Sequence, residues 1–308
     1  MWTARDLPNL RGRTIVVTGG NDGLGLESAK AFAQHEAEVI LACRSIARGE
    51  AAKRAIVAVA PHSNAHVMRL DLQDLSSIDA FAVAFDERFG QLDVLLNNAG
   101  IMGTPYGLTR DGFEAQMGTN HLGHFALTGR LLSALRRTAG SRVVTVSSSA
   151  HRAGAMRFDN LLFEDGQGYR PFKAYGRSKL ANLLFAYELQ RRFEQHDIDC
   201  VSVAAHPGAS QTNLGRHIDK MWAMRLMEPV LRRVVQDPAG GALPQLRASA
   251  DPRVRGGEYY GPGAFHGMSG APVRVRSSRA SRSHHDARRL WDESERLTGV
   301  RYEWAKLA

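Results

Sequence analysis

Tyr175 and Lys179 are the two residues of this sequence whose types and spacing most directly suggest chemistry. Four residues apart on a helix, they would share one face and lie about 5.4 Å apart along the axis. An ammonium group at that distance favours a phenolate, so the pKa of Tyr175 is expected to fall below its usual value of about 10. The pair therefore predicts a general acid or base. Taken singly, Tyr175 could equally be an ordinary residue of an amphipathic helix and Lys179 a solvated charge.

A glycine-rich turn earlier in the chain suggests a second kind of site. It has the sequence Thr18-Gly19-Gly20-Asn21-Asp22-Gly23-Leu24-Gly25 and follows a short β-branched run. Glycines let a backbone approach a pyrophosphate, and a helix N-terminus offers free N–H groups with a partial positive charge. The position between a strand and an amphipathic helix favours a dinucleotide site over a simple tight turn.

Short apolar runs alternate with amphipathic stretches along most of the chain. The predicted strands are 13–18, 38–43, 65–70, 92–97, 142–147 and 199–204, and long helices are expected around 111–137 and 175–195. This alternation requires right-handed crossovers. It predicts a single α/β domain over residues 1–308, with a doubly wound parallel sheet of the Rossmann type and helices on both faces.

The sequence resembles the short-chain dehydrogenase/reductase family. Its turn fits the pattern T-G-x-x-x-G-x-G, and the further matches follow in the family's order: Asp71-Leu72, Asn97-Asn98-Ala99-Gly100, Asn120, Ser148, Tyr175-Gly176-Arg177-Ser178-Lys179 and Pro207-Gly208. The runs Asn120-His121-Leu122-Gly123-His124-Phe125 and Val146-Ser147-Ser148-Ser149-Ala150-His151 resemble the retinol-dehydrogenase-like branch and its bacterial relatives. The resemblance implies about seven strands in the order 3-2-1-4-5-6-7.

The resemblance also implies roles for individual residues. Tyr175 would exchange a proton with the substrate, and Lys179 would additionally hold the nicotinamide ribose. Ser148 would hydrogen-bond the substrate oxygen, and Asn120 would hold a water that links Lys179 to solvent. The choice of Ser148 among three consecutive serines rests on the resemblance. The implied cofactor-binding residues are Gly19, Asn21, Gly23, Leu24, Gly25, Arg44, Asp71, Leu72, Asn97, Asn98, Ala99, Gly100, Tyr175, Lys179, Pro207, Gly208 and Thr212.

The end of the second predicted strand bears on the choice between NAD and NADP. An NAD site usually places an acid there against the ribose 2′-hydroxyl, whereas this chain has Cys43 followed by Arg44. A guanidinium suits a 2′-phosphate, so the interpretation is NADP, with NAD possible. The alternative is that Arg44 caps the following helix. Asp22 counts against NADP, because many NADP-using relatives have a basic residue at that position.

The C-terminal third carries two further segments. Residues 207–255 are expected to form a substrate lid, and they contain Leu214, Met221, Trp222, Met224, Leu226, Met227, Val230 and Leu231. Flexible thioethers suit variable apolar ligands, which suggests a lipophilic carbonyl or alcohol, although the same residues could merely pack the lid. Residues 273–308 form a C-terminal extension whose arginine-rich start, 273–289, predicts a solvated, partly mobile strip.

Composition narrows the function classes further. Of 308 residues 44% are hydrophobic and 23% charged, which excludes collagen-like, disordered and disulfide-scaffold proteins. The net charge is +9 because 40 basic residues, 34 arginines and 6 lysines, outnumber 31 acidic ones. The basic residues have no interleaved aromatics, so no nucleic-acid partner is expected. Cys43 and Cys200 form no C-x-x-C pair or metal cluster and are expected to be free buried thiols. Neither a signal peptide nor a membrane span is evident, so a cytoplasmic protein is expected.

Two functions from different classes fit these features. One is an NADP-dependent oxidoreductase that interconverts a carbonyl and an alcohol. The other is a dinucleotide-binding sensor or scaffold without turnover, but such proteins typically lose the tyrosine or the lysine, and both are present. A homodimer is expected because the helix around 111–137 carries apolar residues on more than one face: Phe125, Leu127, Leu131, Leu132 and Leu135.

Overall fold

The structure, a computed structural model, describes residues 1–210 and 235–304. Its strands are β1 (Thr14–Thr18), β2 (Glu38–Cys43), β3 (Asn64–Arg69), β4 (Val94–Asn97), β5 (Ser141–Val146), β6 (Cys200–Ala205), β7 (Tyr259–Ala264) and β8 (Ser269–Arg274). They form one sheet in the order β3-β2-β1-β4-β5-β6-β7-β8. The neighbours from β3 to β7 pair in parallel, which confirms the predicted doubly wound Rossmann-type sheet.

The edge strand β8 is an addition to the expected sheet. It pairs antiparallel with β7, so the described sheet has eight strands rather than about seven. The sequence did not predict this strand, because Gly270 and Pro272 both weaken a strand pattern. A proline is tolerated here because β8 is an edge strand of the sheet formed by residues 1–210 and 235–304.

The helices cover both faces of the sheet. They are α1 (Gly23–Gln34), α2 (Ile46–Val59), α3 (Leu75–Phe89), α4 (Ala115–Met117), α5 (Gly123–Arg130), α6 (Leu132–Arg137), α7 (Pro171–Gln195), α8 (Pro238–Ala250) and α9 (His284–Thr298). The predicted long helix around 175–195 is α7, which begins at a proline in the first helical turn.

The helix expected around 111–137 is divided into shorter pieces. A π-helical turn, Gly118–Leu122, separates α4 from α5, and α5 ends before α6 begins at Leu132. Four glycines, Gly112, Gly118, Gly123 and Gly129, lower the helix propensity of this stretch. A Cβ atom at one of them, Gly123, would lie only 2.5 Å from the carbonyl oxygen of Leu72, so this glycine is required by close packing.

The core is divided by the sheet into two apolar layers. Ile15 and Val17 of β1 face one layer together with Phe32 of α1, while Val16 faces the other together with Phe85 of α3. Successive side chains of a strand point to opposite faces, and all five residues of β1 are buried. The sheet is therefore covered on both sides, as a parallel sheet requires.

The C-terminal extension covers the face of α5 that was expected to bind a partner subunit. The rings of Trp291 and Tyr302 lie 5.1 and 5.0 Å from the ring of Phe125. The apolar residues expected to lie on more than one face of the helix are all at most 3% exposed: Phe125, Leu127, Leu131, Leu132 and Leu135. The expectation that this helix leaves apolar surface for a dimer is therefore wrong, because the chain buries that surface itself. The homodimer stays a prediction, and any interface must use another surface.

The arginine-rich strip is exposed but its serines are not. The exposed arginines are Arg274, Arg276, Arg279, Arg282, Arg288 and Arg289. Ser277 and Ser281 are buried, and the Tyr187 hydroxyl on α7 donates to the Ser277 hydroxyl at 3.0 Å. The segment thus docks on α7 through small polar side chains while its charges stay in solvent.

Two further expectations concern the thiols and the membrane. Cys43 and Cys200 are both free and buried, as predicted. They lie on β2 and β6, which are separated in the sheet by β1, β4 and β5. Among the described residues, no helix combines the length and the apolar character needed to cross a membrane.

Trp291 supplies a test of the C-terminal contact. Its ring is 2% exposed and lies against Phe125 and Tyr302, with the Arg192 guanidinium 4.2 Å from its centre. Trp291→Ala should lower the free energy of unfolding by about 3–5 kcal/mol, as expected for a large buried aromatic residue. Urea unfolding measures this change. The matched control is Val83→Ala, whose side chain is exposed on α3; equal losses in both variants would contradict the assigned burial.

Candidate active site

The predicted site residues gather at the carboxyl ends of β1, β4 and β5. The strand order reverses between β1 and β4, because the chain continues from β1 to β2 on one side and to β4 on the other. Open α/β sheets bind ligands in the crevice at such a reversal. The fold therefore places the glycine-rich turn beside the Asn97–Gly100 loop.

The glycine-rich turn has the backbone geometry of an anion-binding loop. Gly19 and Gly23 adopt φ angles of +65° and +52°, in the left-handed region that favours glycine. A Cβ atom at Gly25 would lie 2.4 Å from the Gly19 carbonyl oxygen, so only glycine permits this approach. Helix α1 begins here and has no acidic residue in its first turn. These residues fit a pyrophosphate, which is stabilised by free N–H groups at a helix N-terminus.

The Thr18 hydroxyl connects this turn to the loop after β4. Its Oγ1 accepts the backbone N–H groups of Asn98 and Ala99, each at 2.9 Å. The Asn98 side chain in turn donates to the Thr18 carbonyl at 2.8 Å. Two strand ends that are 80 residues apart in sequence are thereby held together.

His124 extends the same network to the π-helical turn. Its Nε2 lies 2.9 Å from Thr18 Oγ1, and its Nδ1 lies 3.0 Å from the Asn120 carbonyl oxygen. Burial lowers the pKa of His124 to about 4, so the ring is neutral at physiological pH. Since Nδ1 donates to the Asn120 carbonyl, Nε2 is left to accept from the Thr18 hydroxyl. His124 was not among the predicted site residues, although it lies in the family run that contains Asn120.

Asn120 and Lys179 both reach the loop after β4. Asn120 accepts from the Ile101 N–H at 2.8 Å and donates to the Ile101 carbonyl at 3.0 Å and the Ser178 hydroxyl at 2.9 Å. A Cβ atom at Gly100 would lie 3.1 Å from Asn120 Oδ1 and 3.4 Å from Lys179 Nζ. The structure therefore brings Gly100, Asn120 and Lys179 together.

The three consecutive serines after β5 have different surroundings. Ser147 is buried and its hydroxyl donates to the Lys179 carbonyl at 2.7 Å, while Ser149 is exposed. Ser148 is half-buried, and its hydroxyl is near enough to lower the pKa of Tyr175. Of the three serines, Ser148 is thus the one whose hydroxyl lies near Tyr175; its role in catalysis stays a prediction.

Tyr175 and Lys179 are both buried on α7. The Lys179 ammonium lies 5.8 Å from the centre of the Tyr175 ring and donates to the Val146 carbonyl at 3.0 Å. Burial lowers the pKa of Lys179 to about 8. Burial likewise raises the pKa of Tyr175 to about 12, and the hydrogen bond with Ser148 only partly opposes this rise.

The expected lowering of the Tyr175 pKa is therefore wrong for this structure. The expectation considered only the attraction between an ammonium and a phenolate. Desolvation penalises the phenolate and outweighs that attraction, and it also penalises the Lys179 ammonium itself. At neutral pH the phenol is protonated and can donate a proton.

The end of β2 carries two arginines with different partners. Arg44 is exposed and forms no ion pair with any residue of 1–210 or 235–304. Arg48 forms a salt bridge with Asp22 at 2.7 Å. The alternative role for Arg44, capping α2, is wrong because Ser45 is the N-cap of that helix. The Asp22 carboxylate, which counted against NADP, is thus neutralised by an arginine that the sequence analysis did not single out.

The predicted residues after β3 and β4 have mainly structural contacts. Asp71 accepts from the Gln73 N–H at 3.1 Å, and Leu72 is buried. The Asn97 side chain is fully buried and donates to Thr128 at 3.1 Å. Any contact of Asn97 with a cofactor therefore involves its main chain.

The predicted residues after β6 form a tight loop. Gly208 adopts a φ of +71°, and a Cβ atom there would lie 2.4 Å from the Met268 carbonyl oxygen. The Pro207 carbonyl accepts from the Gln236 side chain at 3.3 Å. Thr212 lies outside the described residues, as do the lid residues 214–231.

Gln245 is a site neighbour that sequence analysis missed. From α8 its Nε2 lies 3.1 Å from Asn98 Oδ1, 2.8 Å from Ser28 Oγ and 3.4 Å from the Leu24 carbonyl oxygen. Asn21 and Leu24 are half-buried in the turn beside it. A sequence separation of 147 residues from Asn98 leaves no local pattern by which Gln245 could be recognised.

Comparison with known proteins identifies the family. The family model described as short chain dehydrogenase matches residues 13–161. Retinol dehydrogenase 11 of Homo sapiens is 42% identical over 291 residues, which cover 94% of this chain and 87% of that protein. The chain belongs to the short-chain dehydrogenase family. It is an oxidoreductase that acts on CH–OH donors.

Other short-chain dehydrogenases and solved structures agree with this assignment. Retinol dehydrogenase 13 of Homo sapiens is 37% identical over 294 residues, covering 94% of this chain and 85% of that protein. The crystal structure of an uncharacterized protein from Mycobacterium Paratuberculosis is 42% identical, with a TM-score of 0.82 over 98% of this chain and 99% of that one. A short chain dehydrogenase from Shigella flexneri, complexed with NADP, shares the fold at 23% identity, with a TM-score of 0.64 over 82% of this chain and 98% of that one.

The buried ammonium of this short-chain dehydrogenase makes stability depend on pH. Because burial lowers the folded-state pKa of Lys179 from 10.5 to about 8, the unfolded state binds more protons between those values. The loss of folding stability caused by the buried ammonium is complete below pH 8 and disappears as pH rises through 10.5. Lys179→Met should therefore raise the free energy of unfolding at pH 7 by roughly 1–3 kcal/mol and remove this pH dependence. In this variant the Val146 carbonyl still accepts a hydrogen bond from the Asn182 side chain, so it is not left without a donor.

Urea unfolding of the wild type and the variant at several pH values from 7 to 10 would measure this effect. Lys173→Met on the exposed part of α7 is the matched control and should change stability little at any pH. A loss of stability in Lys179→Met at pH 7 would contradict the assigned desolvation.

Proposed function

We propose that the chain is an NADP-dependent oxidoreductase that interconverts a carbonyl and an alcohol on a lipophilic substrate. The observation that carries the proposal is the arrangement of Ser148, Tyr175 and Lys179. Tyr175 is buried beside Ser148, and the Lys179 ammonium lies 5.8 Å from its ring. The alternative of a sensor without turnover has no support, because the proton-donating groups are present and assembled.

The proposed mechanism assigns proton transfer to Tyr175. When bound, NADPH supplies the hydride for carbonyl reduction. Tyr175, protonated at neutral pH, donates its phenolic proton to the substrate oxygen, and Ser148 stabilises the charge that develops on that oxygen. Lys179 places a positive charge beside the phenol, which favours loss of that proton. Asn120 holds the loop around Ile101 against α7, and a water held there would connect Lys179 to solvent.

The NADP preference is proposed from the arginines after β2. Arg44 is exposed and available to a 2′-phosphate, for which a guanidinium fork is well suited. The Asp22 carboxylate is paired with Arg48, so its repulsion of a phosphate is reduced. The NADP complex of the Shigella flexneri protein is in line with this preference.

The lipophilic substrate is proposed from sequence and from the relatives. Residues 207–255, proposed as the lid, include Met221, Met224 and Met227 together with several leucines. The relatives that are named retinol dehydrogenases act, by that name, on an apolar alcohol. Decanal is therefore a suitable probe for reduction.

Tyr175→Phe tests the proton donor. The variant should lose turnover of decanal with NADPH by about 10²-fold or more, because one proton donor is removed while the ring remains. Its affinity for NADPH, measured by fluorescence titration, should be unchanged. Tyr187→Phe, in which the hydroxyl that bonds Ser277 is removed from the same helix, is the control and should keep its rate. A Tyr175→Phe variant with more than about a tenth of the wild-type rate would contradict the assignment.

A second prediction concerns the choice of cofactor. Arg44→Ala should weaken NADPH binding by about 1.5–3 kcal/mol and leave NADH binding nearly unchanged, since only NADPH carries the 2′-phosphate. Asp22→Asn should tighten NADPH binding because it removes the remaining repulsion between this carboxylate and the phosphate, and asparagine can still cap α1. Arg48→Ala should weaken NADPH binding less when Asp22→Asn is also present. Equal losses of NADPH and NADH affinity in Arg44→Ala would show that Arg44 is structural.

A further inference from the structure

His151 joins the catalytic loop to the C-terminal extension. It lies in the short helical turn Ser149–Ala153 and is 1% exposed. Its ring Nδ1 is 2.6 Å from the carbonyl oxygen of Ser148, and its Nε2 is 3.2 Å from the backbone nitrogen of Ser278. A backbone N–H can only donate, so Nε2 accepts from Ser278. Nδ1 therefore carries the proton and donates to the Ser148 carbonyl.

The neutral ring is held in place by its surroundings. The Tyr259 ring packs edge to face against it, with the ring centres 5.8 Å apart. Burial lowers the pKa of His151, which keeps the ring neutral with one donor and one acceptor nitrogen. Protonation would turn Nε2 into a second donor that faces the Ser278 N–H.

Hydrogen bonds hold both the carbonyl and the hydroxyl of Ser148. Its carbonyl accepts from the His151 ring and also from the His151 backbone N–H at 3.1 Å. Its hydroxyl accepts from the Ala150 N–H at 3.2 Å. A rotation of the peptide after Ser148 would break the first two contacts and turn the hydroxyl away from Tyr175.

We propose that His151 is a positioning residue, whose Nδ1–H holds the Ser148 carbonyl and thereby fixes the orientation of the Ser148 hydroxyl. This inference rests on the proposed function, because it assumes that Ser148 binds the substrate oxygen. An error of about 1 Å in the position of such a group can reduce turnover by up to about 10²-fold.

The same segment docks on the domain through contacts that do not touch Ser148. Tyr187 donates to the Ser277 hydroxyl at 3.0 Å, and Arg152 donates to the Arg276 carbonyl at 2.9 Å. These bonds anchor the residues that precede Ser278. Their removal loosens the docking but leaves the donor to the Ser148 carbonyl in place, so Tyr187→Phe is a matched control.

Two substitutions test the hydrogen bonds of the two imidazole nitrogens separately. In His151→Asn the amide nitrogen stands close to the position of Nδ1 and can still donate to the Ser148 carbonyl. In His151→Gln the longer side chain reaches the Ser278 N–H instead. With decanal and NADPH, His151→Gln should lose kcat by about tenfold or more, whereas His151→Asn should stay within about threefold of the wild type. NADPH affinity should stay within about twofold in both, and Tyr187→Phe should lower Tm with kcat unchanged.

Three outcomes would overturn the inference. Equal kcat values in His151→Asn and His151→Gln would show that the donor to Ser148 is unimportant. A fall in kcat in Tyr187→Phe as large as in His151→Gln would assign the effect to docking alone. In ¹⁵N-histidine NMR spectra of the wild type at pH 7, a protonated Nε2 on His151 would contradict the assigned tautomer. The NMR result does not depend on turnover, whereas a wild type that reduces no carbonyl compound would contradict only the proposed function.

Discussion

The Thr18 hydroxyl is the contact on which the rest of the site depends. It lies where the strand order reverses, and it binds the loop after β4 through two backbone N–H groups and the π-helical turn through His124. A hydroxyl can donate one hydrogen bond and accept two, and this one uses all three capacities. The positions of Gly100 and Asn120 therefore follow from one buried side chain at the end of β1.

The site buries the Lys179 ammonium group, and this burial lowers the stability of the folded state. The Tyr175 phenol and the Lys179 ammonium are both buried on α7, and burial shifts the pKa of each group so that its neutral form is favoured. Only the Lys179 shift costs stability at neutral pH, because Tyr175 is neutral there in both the folded and the unfolded state, and the apolar layers offset that cost. The two layers on either side of β1, with Phe32 and Phe85 fully buried, provide that compensation.

The C-terminal extension completes a domain that would otherwise leave an apolar helix exposed. Trp291 and Tyr302 cover the ring of Phe125 on α5, and Arg192 lies over the Trp291 ring. Because α5 follows directly after the turn that contains Asn120, this cover also supports the site from behind. The arginines of the same extension keep their charges in water, while Ser277 and Ser281 are buried against the domain.

The order of the strands in the sheet was implied by the family resemblance. The sequence by itself determined the approximate positions of six strands along the chain, the glycine-rich turn and the four-residue spacing of Tyr175 and Lys179. These features depend on local periods and fixed spacings, which a chain carries whatever it packs against. Only the tertiary structure decided the sign of the Tyr175 pKa shift, because desolvation depends on every element around a group. It also decided which surface of α5 is covered and that Arg48 neutralises Asp22, because these contacts join residues that are distant in sequence or face a direction that spacing alone does not define. The edge strand β8 escaped prediction for the same reason: a strand containing Gly270 and Pro272 is stabilised by its pairing with β7 and not by its own residues.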